Sequence, residues 1–163
     1  MIRVLVVCTG NTCRSPMAEE LIDDAVGRST KLAGKVKVKS AGTFACEGAE
    51  ATDEAKQVME EYGLSLEKHR ARQFSVELAD KYDLLLAISS VVFEQMEALA
   101  PDCVGKMHSF LGFAQNLDGE RTEERFDVLD PFDEGVDEYR ECAVQLNDAA
   151  KKIVARLEQE EDL

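Results

Sequence analysis

The sequence has no hydrophobic run long enough to cross a membrane or to act as a secretory signal. The apolar stretch near its amino terminus covers only residues 4–8. A membrane-spanning helix needs about 20 apolar residues, and the core of a signal peptide needs about 7–15. We therefore expect no targeting signal and no membrane partner.

The cysteine and histidine patterns of disulfide scaffolds and zinc sites are also lacking. The two histidines, His69 and His108, stand alone, and there is no CxxC pair. Five cysteines in 163 residues do not suggest a secreted disulfide framework, so reduced thiols and a cytoplasmic location are expected. The five are Cys8, Cys13, Cys46, Cys103 and Cys142.

Basic residues are scarce, with 19 Lys and Arg against 33 Asp and Glu and a formal net charge of −14. Nucleic acids and anionic membranes bind basic patches, so neither is expected as a partner. The acidic balance favours solubility, and steering toward cationic protein surfaces is a weaker alternative.

No internal repeat and no Pro- or Ser-rich linker divides the chain. Its length, with 45% hydrophobic and 32% charged residues, is typical of a soluble globular domain with a sizeable core. We expect a single domain over residues 1–163, monomeric by default.

Candidate strands alternate with candidate helices. The continuous apolar run at 4–7 and the stretch YDLLLAI at 82–88 predict strands buried on both faces. Alternation over 35–42 predicts an edge strand, and 106–110 is a shorter candidate. The predicted helix starts are Ser15 as N-cap with Pro16 as first helical residue, then Thr52, then Ser89 or Ser90. The last helix carries the apolar stripe Tyr139, Cys142, Ala143, Leu146, Ala150, Ile153 and Leu157.

This alternation predicts an α/β fold, a three-layer sandwich in which helices cover both faces of a mostly parallel sheet. Ligands bind such sheets at the carboxyl ends of the strands. Cys8 ends the first strand, so topology alone places it at a functional position.

Residues 8–14 form the turn from that strand to the first helix. Backbone N–H groups and the helix dipole make such a turn an anion cradle, and Gly10 or Asn11 can adopt the positive φ that it needs. Arg14 offers a fork of donors to phosphate oxygens. A cysteine in this setting is expected to be a thiolate, able to attack a bound phosphoryl group. The alternative is a merely buried Cys8 and a solvated Arg14.

Residues 7–19 read VCTGNTCRSPMAE and resemble the signature of the low-molecular-weight protein tyrosine phosphatase family. The likeness extends to SAGT at 40–43, HRARQ at 69–73, DLLLAI at 83–88 and DPF at 130–132. It spans the chain from Arg3 to about Leu157. The resemblance implies a four-stranded parallel sheet and hydrolysis of phosphorylated protein side chains through a phosphocysteine intermediate, without metal or cofactor.

By that resemblance, Cys8 is the nucleophile and Arg14 clamps the phosphoryl oxygens. Ser15 would hydrogen-bond the sulfur, favouring the thiolate and easing its departure in the second step. Asn11 would shape the loop through a polar network with Ser40 and His69, which otherwise read as an ordinary strand-end serine and a surface histidine. The remaining oxygens would be held by the backbone N–H groups of Thr9, Gly10, Asn11, Thr12, Cys13 and Arg14.

The family places its general acid on the aspartate of a late Asp-Pro, and Asp130-Pro131 is the only such dipeptide here. Its carboxyl would protonate the leaving group and then activate water. Asp-Pro is also a common turn opener, and Asp127, Asp133 and Asp137 are nearby competitors.

Two positions bear on the substrate. The family's tyrosine phosphatases usually carry an aliphatic residue at Thr12, and many carry Tyr at the pocket wall where this chain has Phe132. At both points the chain resembles the protein-arginine phosphatase branch. A threonine leaves a slimmer, polar-edged wall that suits a flat guanidinium, which Asp130 could also pair with. We favour phosphoarginine; the alternative is a phosphotyrosine phosphatase in which Thr12 is a neutral variation.

Two other classes are weighed as rivals. Arsenate reductases share this loop and fold but relay oxidation through a resolving cysteine pair, whereas Cys46, Cys103 and Cys142 are scattered. A binding module without turnover would be expected to lack Cys8, Arg14 or Asp130, and all three residues are present.

Two further expectations concern regulation and access. Cys13 lies in the same loop as Cys8, so a reversible disulfide between them is one hypothesis, and a small packing residue is the equal alternative. The charged stretch 116–127 is predicted to be a solvated, mobile connection.

Overall fold

The strands in the described residues form one parallel sheet. The computed structural model describes residues 1–117 and 123–161 and orders the strands β2, β1, β3, β4 across the sheet. Their bounds are β1 Ile2–Cys8, β2 Val36–Gly42, β3 Leu84–Ala87 and β4 Met107–Ser109. The alternating β2 lies at the edge of the sheet, as predicted, and the apolar run of β1 lies at its centre.

Helices connect the strands within the same described ranges. They are α1 Arg14–Arg28, α2 Asp53–Glu61, α3 Val76–Asp80, α4 Ser90–Leu99, α5 Phe110–Ala114 and α6 Val136–Glu161. Short 3-10 helices cover Pro101–Lys106 and Glu124–Phe126. Thr52 caps α2 and Ser89 caps α4 through their hydroxyl oxygens, which confirms both predicted helix starts.

Each face of the sheet has its own core. Val4 and Val6 of β1 pack in a cluster with side chains of α1, α2 and α6, whereas Leu5 and Val7 pack with side chains of α4 and its surroundings. Every residue of the predicted stripe on α6 is buried. Burying one such aliphatic side chain contributes about 1.5–3 kcal/mol. The three-layer α/β sandwich is confirmed.

The predicted start of α1 is wrong. The helix begins at Arg14 with Cys13 at its N-cap position, so Pro16 is its third residue rather than its first. Ser15 is not a cap because its hydroxyl is engaged by the sulfur of Cys8 and the amide of Asn11. Helices α3 and α5 were not predicted because five residues are too short to show a helical period.

The stretch 116–127 is not wholly solvated. Residues 118–122 lie outside the described residues, so the prediction is untested there. At its carboxyl end Phe126 is buried in the core, and the Asp127 carboxylate binds the first turn of α4. The carboxyl end of this stretch is therefore held by the buried Phe126 side chain and by the hydrogen-bonded Asp127 carboxylate.

Two expected absences can be examined only in part. None of the helices within 1–117 and 123–161 has the length and hydrophobicity to span a membrane. The same ranges bring together no group of three or more His, Cys, Asp or Glu side chains that could hold a metal ion.

Candidate active site

The loop between β1 and α1, residues 8–14, turns its carbonyl groups outward; we call it the phosphate loop. Its carbonyl oxygens accept hydrogen bonds of 2.7–3.1 Å from neighbouring elements. The pairs are Thr43 N to Cys8 O, Phe44 N to Thr9 O, His69 Nε2 to Asn11 O, Thr52 N to Thr12 O and Met17 N to Cys13 O. In a trans peptide the N–H points opposite to the carbonyl. The next N–H groups therefore face the loop interior, as an anion cradle requires.

Cys8 lies at the floor of this loop and is only 2% exposed. Its Sγ lies 2.8 Å from Ser15 Oγ and accepts a 3.2 Å hydrogen bond from the backbone N–H of Asn11. Ser15 Oγ already accepts a bond from the Asn11 side-chain amide at 2.8 Å, which leaves its own proton free to donate to sulfur. Two donors directed at one sulfur stabilise a negative charge there.

Asn11 is the residue that holds the loop in shape. It is fully buried and takes the positive φ, 58°, that either Gly10 or Asn11 was predicted to adopt. Its Nδ2 donates to Ser15 Oγ and, at 3.0 Å, to Ser40 Oγ. Its backbone carbonyl accepts the 2.7 Å bond from His69. The structure thus brings Asn11, Ser40 and His69 together. Ser40 is bonded to the side chain of Asn11, and His69 is bonded to its main-chain carbonyl.

Sequence reasoning missed three residues that complete this support. Arg72 N donates to Asn11 Oδ1 at 3.0 Å, which fixes the orientation of the amide. Glu19 Oε1 accepts from Ser40 Oγ at 2.7 Å. A Cβ on Gly42 would lie 2.4 Å from the Thr9 carbonyl oxygen, so the loop rests directly on the end of β2. Gly42 and Arg72 lie within SAGT and HRARQ, two of the stretches that resemble the family, and this resemblance could have indicated them.

Arg14 links the phosphate loop to the chain around Asp130. The side chain is buried, and its Nη1 donates to the Val128 carbonyl at 2.8 Å. Nη2 lies 3.6 Å from Asp130 Oδ2, while the buried Nε has no hydrogen-bond partner among the described residues. A buried cationic donor without a partner is costly. Its chemistry fits an anionic ligand such as a phosphoryl group.

Asp130 is the predicted acid that lies beside Arg14. Its side chain is 51% exposed, and Oδ1 accepts from Phe132 N at 3.1 Å. Among its described competitors, the Asp127 carboxylate binds Ser90 and that of Asp137 binds Arg140. Asp133 is exposed and has a positive φ of 65°.

The buried thiols near the site favour the protonated form. Burial, followed by the charges of Cys8 and Asp130, raises the pKa of Cys13 to about 12. Cys13 Sγ donates to Asp130 Oδ1 at 3.8 Å. Burial likewise raises the pKa of Cys142 to about 12. Both are therefore neutral thiols near pH 7.

The rim of the loop carries exposed aromatic side chains. Phe132, predicted as a pocket wall, is 55% exposed and follows the Asp130 turn. Phe44, which was not predicted, is 70% exposed, and its backbone N–H is bonded to the Thr9 carbonyl. Thr12 is half-buried within the loop.

The comparisons with known proteins agree with this geometry. Residues 3–163 match the family model for low molecular weight phosphotyrosine protein phosphatase. The chain belongs to this family. The predicted family and the phosphatase activity that it implies are confirmed.

Relatives of this phosphatase include enzymes named for two different substrates. It is 35% identical over 159 residues to a protein-arginine-phosphatase of Geobacillus stearothermophilus, covering 98% of each chain. It is 36% identical over 154 residues to the low molecular weight protein-tyrosine-phosphatase Etp of Escherichia coli strain K12, covering 94% of this chain and 93% of Etp.

Solved structures match over the same extent. The YwlE arginine phosphatase from Geobacillus stearothermophilus superposes with a TM-score of 0.85 at 34% identity, covering 98% of this chain and 95% of that one. A YwlE arginine phosphatase mutant with a phosphorylated active-site serine gives a TM-score of 0.87 at 28% identity, covering 98% and 97%. In that protein, the active-site side chain carries the phosphate covalently.

Proposed function

We propose that this phosphatase hydrolyses phosphoarginine in proteins, with Cys8 as nucleophile, Arg14 as phosphate clamp and Asp130 as general acid and base. The observation that carries the proposal is the phosphate loop itself. Its carbonyls face outward, two donors point at the Cys8 sulfur, and the buried Arg14 Nε has no partner in the part of the chain that the structure describes. These features suit a phosphoryl dianion held above a thiolate.

In the first step, the Cys8 thiolate attacks phosphorus and forms an S–P bond. The P–N bond to the guanidino group breaks, and its electron pair returns to nitrogen, which takes a proton from Asp130. A neutral guanidine leaves far less readily than a phenolate, so this proton matters more for phosphoarginine than for phosphotyrosine. Backbone N–H groups of 9–14 and the Arg14 guanidinium hold the phosphoryl oxygens.

In the second step, water hydrolyses the phosphocysteine. The Asp130 carboxylate takes a proton from the water as its oxygen attacks phosphorus, and the S–P bond breaks with its electron pair returning to sulfur. The Ser15 hydroxyl, 2.8 Å from Cys8 Sγ, stabilises the departing thiolate. The reaction therefore needs no metal and no cofactor.

Overall identity does not choose between the two substrates, because the arginine- and tyrosine-phosphatase relatives are 35% and 36% identical. The preference for phosphoarginine depends on Thr12 and Phe132, where the chain resembles the arginine branch. It is supported by Asp130, whose half-exposed carboxylate beside the loop can pair with a guanidinium.

The proposal extends to compartment and partners. A catalytic thiol needs a reducing environment, so we propose the cytoplasm. Its partners would be phosphorylated proteins rather than nucleic acids or membranes, since the net charge is −14. We propose a monomer.

The test is initial-rate kinetics on matched phosphoarginine and phosphotyrosine peptides, with Cys8→Ser as the inactive control. We expect kcat/KM to favour phosphoarginine by about tenfold or more. Thr12→Ile should shift the preference toward phosphotyrosine, since a bulkier apolar wall excludes the flat guanidinium. A phosphotyrosine preference in the parent would overturn the substrate assignment but leave the Cys8 mechanism intact. Failure of both peptides to react would favour a binding module.

A further inference from the structure

The segment that carries Asp130, residues 127–133, is here called the acid loop. Asp130 has only weak contacts with the phosphate loop, at 3.6 Å to Arg14 Nη2 and 3.8 Å to Cys13 Sγ. Among the described residues its one short bond, from Phe132 N, lies within the acid loop itself. These contacts do not fix where the carboxyl group lies relative to Cys8. Something else must hold the acid loop in place.

Asp127, which sequence reasoning considered as a rival acid, binds the first residue of α4 with both carboxylate oxygens. Oδ1 accepts from Ser90 N at 2.7 Å, and Oδ2 accepts from Ser90 Oγ at 3.3 Å. Ser90 is buried at the carboxyl end of β3. A carboxylate at the N-terminus of a helix is also favoured by the helix dipole. Its carboxylate is therefore turned to Ser90 and anchors the acid loop there.

The next residue continues the same attachment through its main chain. Val128 N donates to the Ile88 carbonyl at 3.0 Å, and the Val128 carbonyl accepts from Arg14 Nη1 at 2.8 Å. Residues 127 and 128 are thus joined to the end of β3 and to the phosphate clamp. Leu129, directly after them, is 81% exposed. The short hydrogen bonds to neighbouring elements end two residues before Asp130, and the next buried residue of the acid loop is Pro131.

The Asp127 contacts are not required to cap α4. That helix has its own N-cap, Ser89, whose hydroxyl oxygen accepts from Val92 N at 3.3 Å. Helix α4 therefore keeps its side-chain cap when Asp127 is removed, although Ser90 N loses its acceptor.

We propose that Asp127 is a positioning residue for the general acid: its two bonds to Ser90 fix the backbone at 127–128, and thereby the position of Asp130 over Cys8. The inference rests on the proposed role of Asp130. A misplacement of about 1 Å in a catalytic group can cost about 100-fold in rate. Loss of the Asp127 anchor therefore weakens acid catalysis most, while the Cys8 sulfur keeps its donors from Ser15 and Asn11.

The experiment compares kcat/KM for phenyl phosphate and p-nitrophenyl phosphate, because this parameter reports attack by Cys8 and departure of the phenol. Phenolate needs a proton to leave well, whereas the more acidic p-nitrophenol does not. For Asp127→Ala, we expect a loss of about 10- to 100-fold on phenyl phosphate and less than about threefold on p-nitrophenyl phosphate. Asp53→Ala, which removes an exposed carboxylate from the first turn of α2, is the matched control and should change neither.

Two milder variants keep the test valid if Asp127→Ala folds poorly. Asp127→Asn retains one acceptor oxygen for Ser90 N and should recover part of the phenyl phosphate activity. Ser90→Ala removes only the 3.3 Å bond and should show the same selectivity at smaller size. Loss of equal size on both substrates in these variants would overturn the inference, because a general structural defect does not distinguish leaving groups.

A double-mutant cycle separates this inference from the proposed function. If Asp127 acts through Asp130, then Asp127→Ala should cause no further loss in an Asp130→Ala background. Additive losses would overturn the positioning role while leaving Asp130 as the acid. If Asp130→Ala lowers kcat/KM equally for phenyl phosphate and p-nitrophenyl phosphate, Asp130 is not the general acid. The positioning role of Asp127 is then overturned as well. Hydrolysis of p-nitrophenyl phosphate that is lost in Cys8→Ser would still support the nucleophile.

Discussion

The phosphate loop and the acid loop meet at Arg14, yet they are built in opposite ways. In the phosphate loop, Asn11 is fully buried and Cys8 is 2% exposed, and carbonyls along the loop are bonded to neighbouring elements. In the acid loop, Leu129 and Phe132 are 81% and 55% exposed. The phosphate loop is hydrogen-bonded to neighbouring elements along its length, whereas the short bonds of the acid loop to such elements lie at its start, at Asp127 and Val128.

The difference matches the two tasks. Stabilising charge on a phosphoryl group requires donors that are already oriented, since reorienting them during the reaction would raise the barrier. The acid must instead admit a leaving group that belongs to a protein, transfer a proton and then accept a water molecule in its place. The rigid phosphate loop thus binds the phosphoryl group, which all substrates share. The open acid loop faces the leaving group, which differs from one substrate protein to another.

The largest effect is expected where the two loops are joined. Arg14→Lys retains the positive charge but loses the planar fork, so it cannot bind the phosphoryl oxygens and the Val128 carbonyl together. We expect kcat/KM to fall by about 10³-fold on every substrate. Inorganic phosphate should also bind more weakly as a competitive inhibitor. A loss confined to poor leaving groups would mean that Arg14 serves the acid loop rather than the phosphate.

A second variant disturbs the rigid loop alone. In Gly42→Ala the new Cβ would lie 2.4 Å from Thr9 O and 3.0 Å from Asn11 N, so the phosphate loop must shift. We expect kcat/KM to fall by about 100-fold with a lower Tm. Because the acid loop is untouched, the loss should be equal for phenyl and p-nitrophenyl phosphate.

The control for that variant is Gly27→Ala in α1, where an added Cβ meets nothing within 4 Å. It should retain full activity and stabilise the helix by up to about 1 kcal/mol. Equal behaviour of the two alanine variants, in activity and Tm, would show that the phosphate loop is less rigid than its contacts indicate.

The rigid loop is also the one that the sequence predicts better. Cys8, Asn11 and Arg14 lie within seven consecutive residues between a strand and a helix, so local pattern and simple chemistry point to an anion site. The start of α1 was still wrong, because the rule for Ser-Pro does not reveal that the Ser15 hydroxyl is turned toward sulfur. That direction is a tertiary property.

The supports of the site come from distant segments and were found less well. Ser40 and His69 were predicted only through resemblance to the family. Gly42 follows from the register that places it opposite Cys8, which a sequence pattern does not contain. Asp127 was considered as an acid because its chemistry is visible in sequence, whereas the partner of its carboxylate, Ser90, is 37 residues away.

A third prediction concerns the thiol that touches both loops. Disulfide formation requires a thiolate, and two causes of the raised pKa of Cys13 persist after Cys8 is oxidised: burial, which is the largest, and the charge of Asp130. If peroxide oxidises Cys8 to the sulfenic acid, attack by Cys13 should be slow near pH 7. It should accelerate about tenfold per pH unit, because the thiolate fraction rises tenfold per unit below the pKa. Counting free thiols over time, with Cys13→Ser as control, measures this rate.

The outcome that would contradict this prediction is rapid disulfide formation with no dependence on pH. It would mean that oxidation of Cys8 opens the contact between Cys13 and Asp130 and exposes the thiol. The phosphate loop would then be rigid only in its reduced form.

The smallest effect concerns Glu20, one of a group of acidic side chains behind the phosphate loop. Burial, followed by the charges of Glu19 and Asp23, raises the pKa of Glu20 from 4.5 to about 7. Since the folded pKa lies above the unfolded one, the protein loses stability as pH rises from about 4.5 to about 7. Glu20→Gln should therefore match the parent near pH 4.5 and exceed it near pH 8, by about 1 kcal/mol after allowance for solvent screening.

Thermal unfolding at both pH values measures the difference, and about 1 kcal/mol corresponds to about 2–4 °C in Tm for a chain of this size. Glu60→Gln, at an exposed glutamate on α2, should show no such change with pH. Glu20 adjoins Glu19, which holds Ser40 and through it Asn11. Constant kcat/KM in Glu20→Gln would show that the phosphate loop is rigid enough to be insensitive to charge behind it. A change in kcat/KM that follows the change in stability would instead mean that the Glu20 carboxyl group helps to hold the phosphate loop in its active shape.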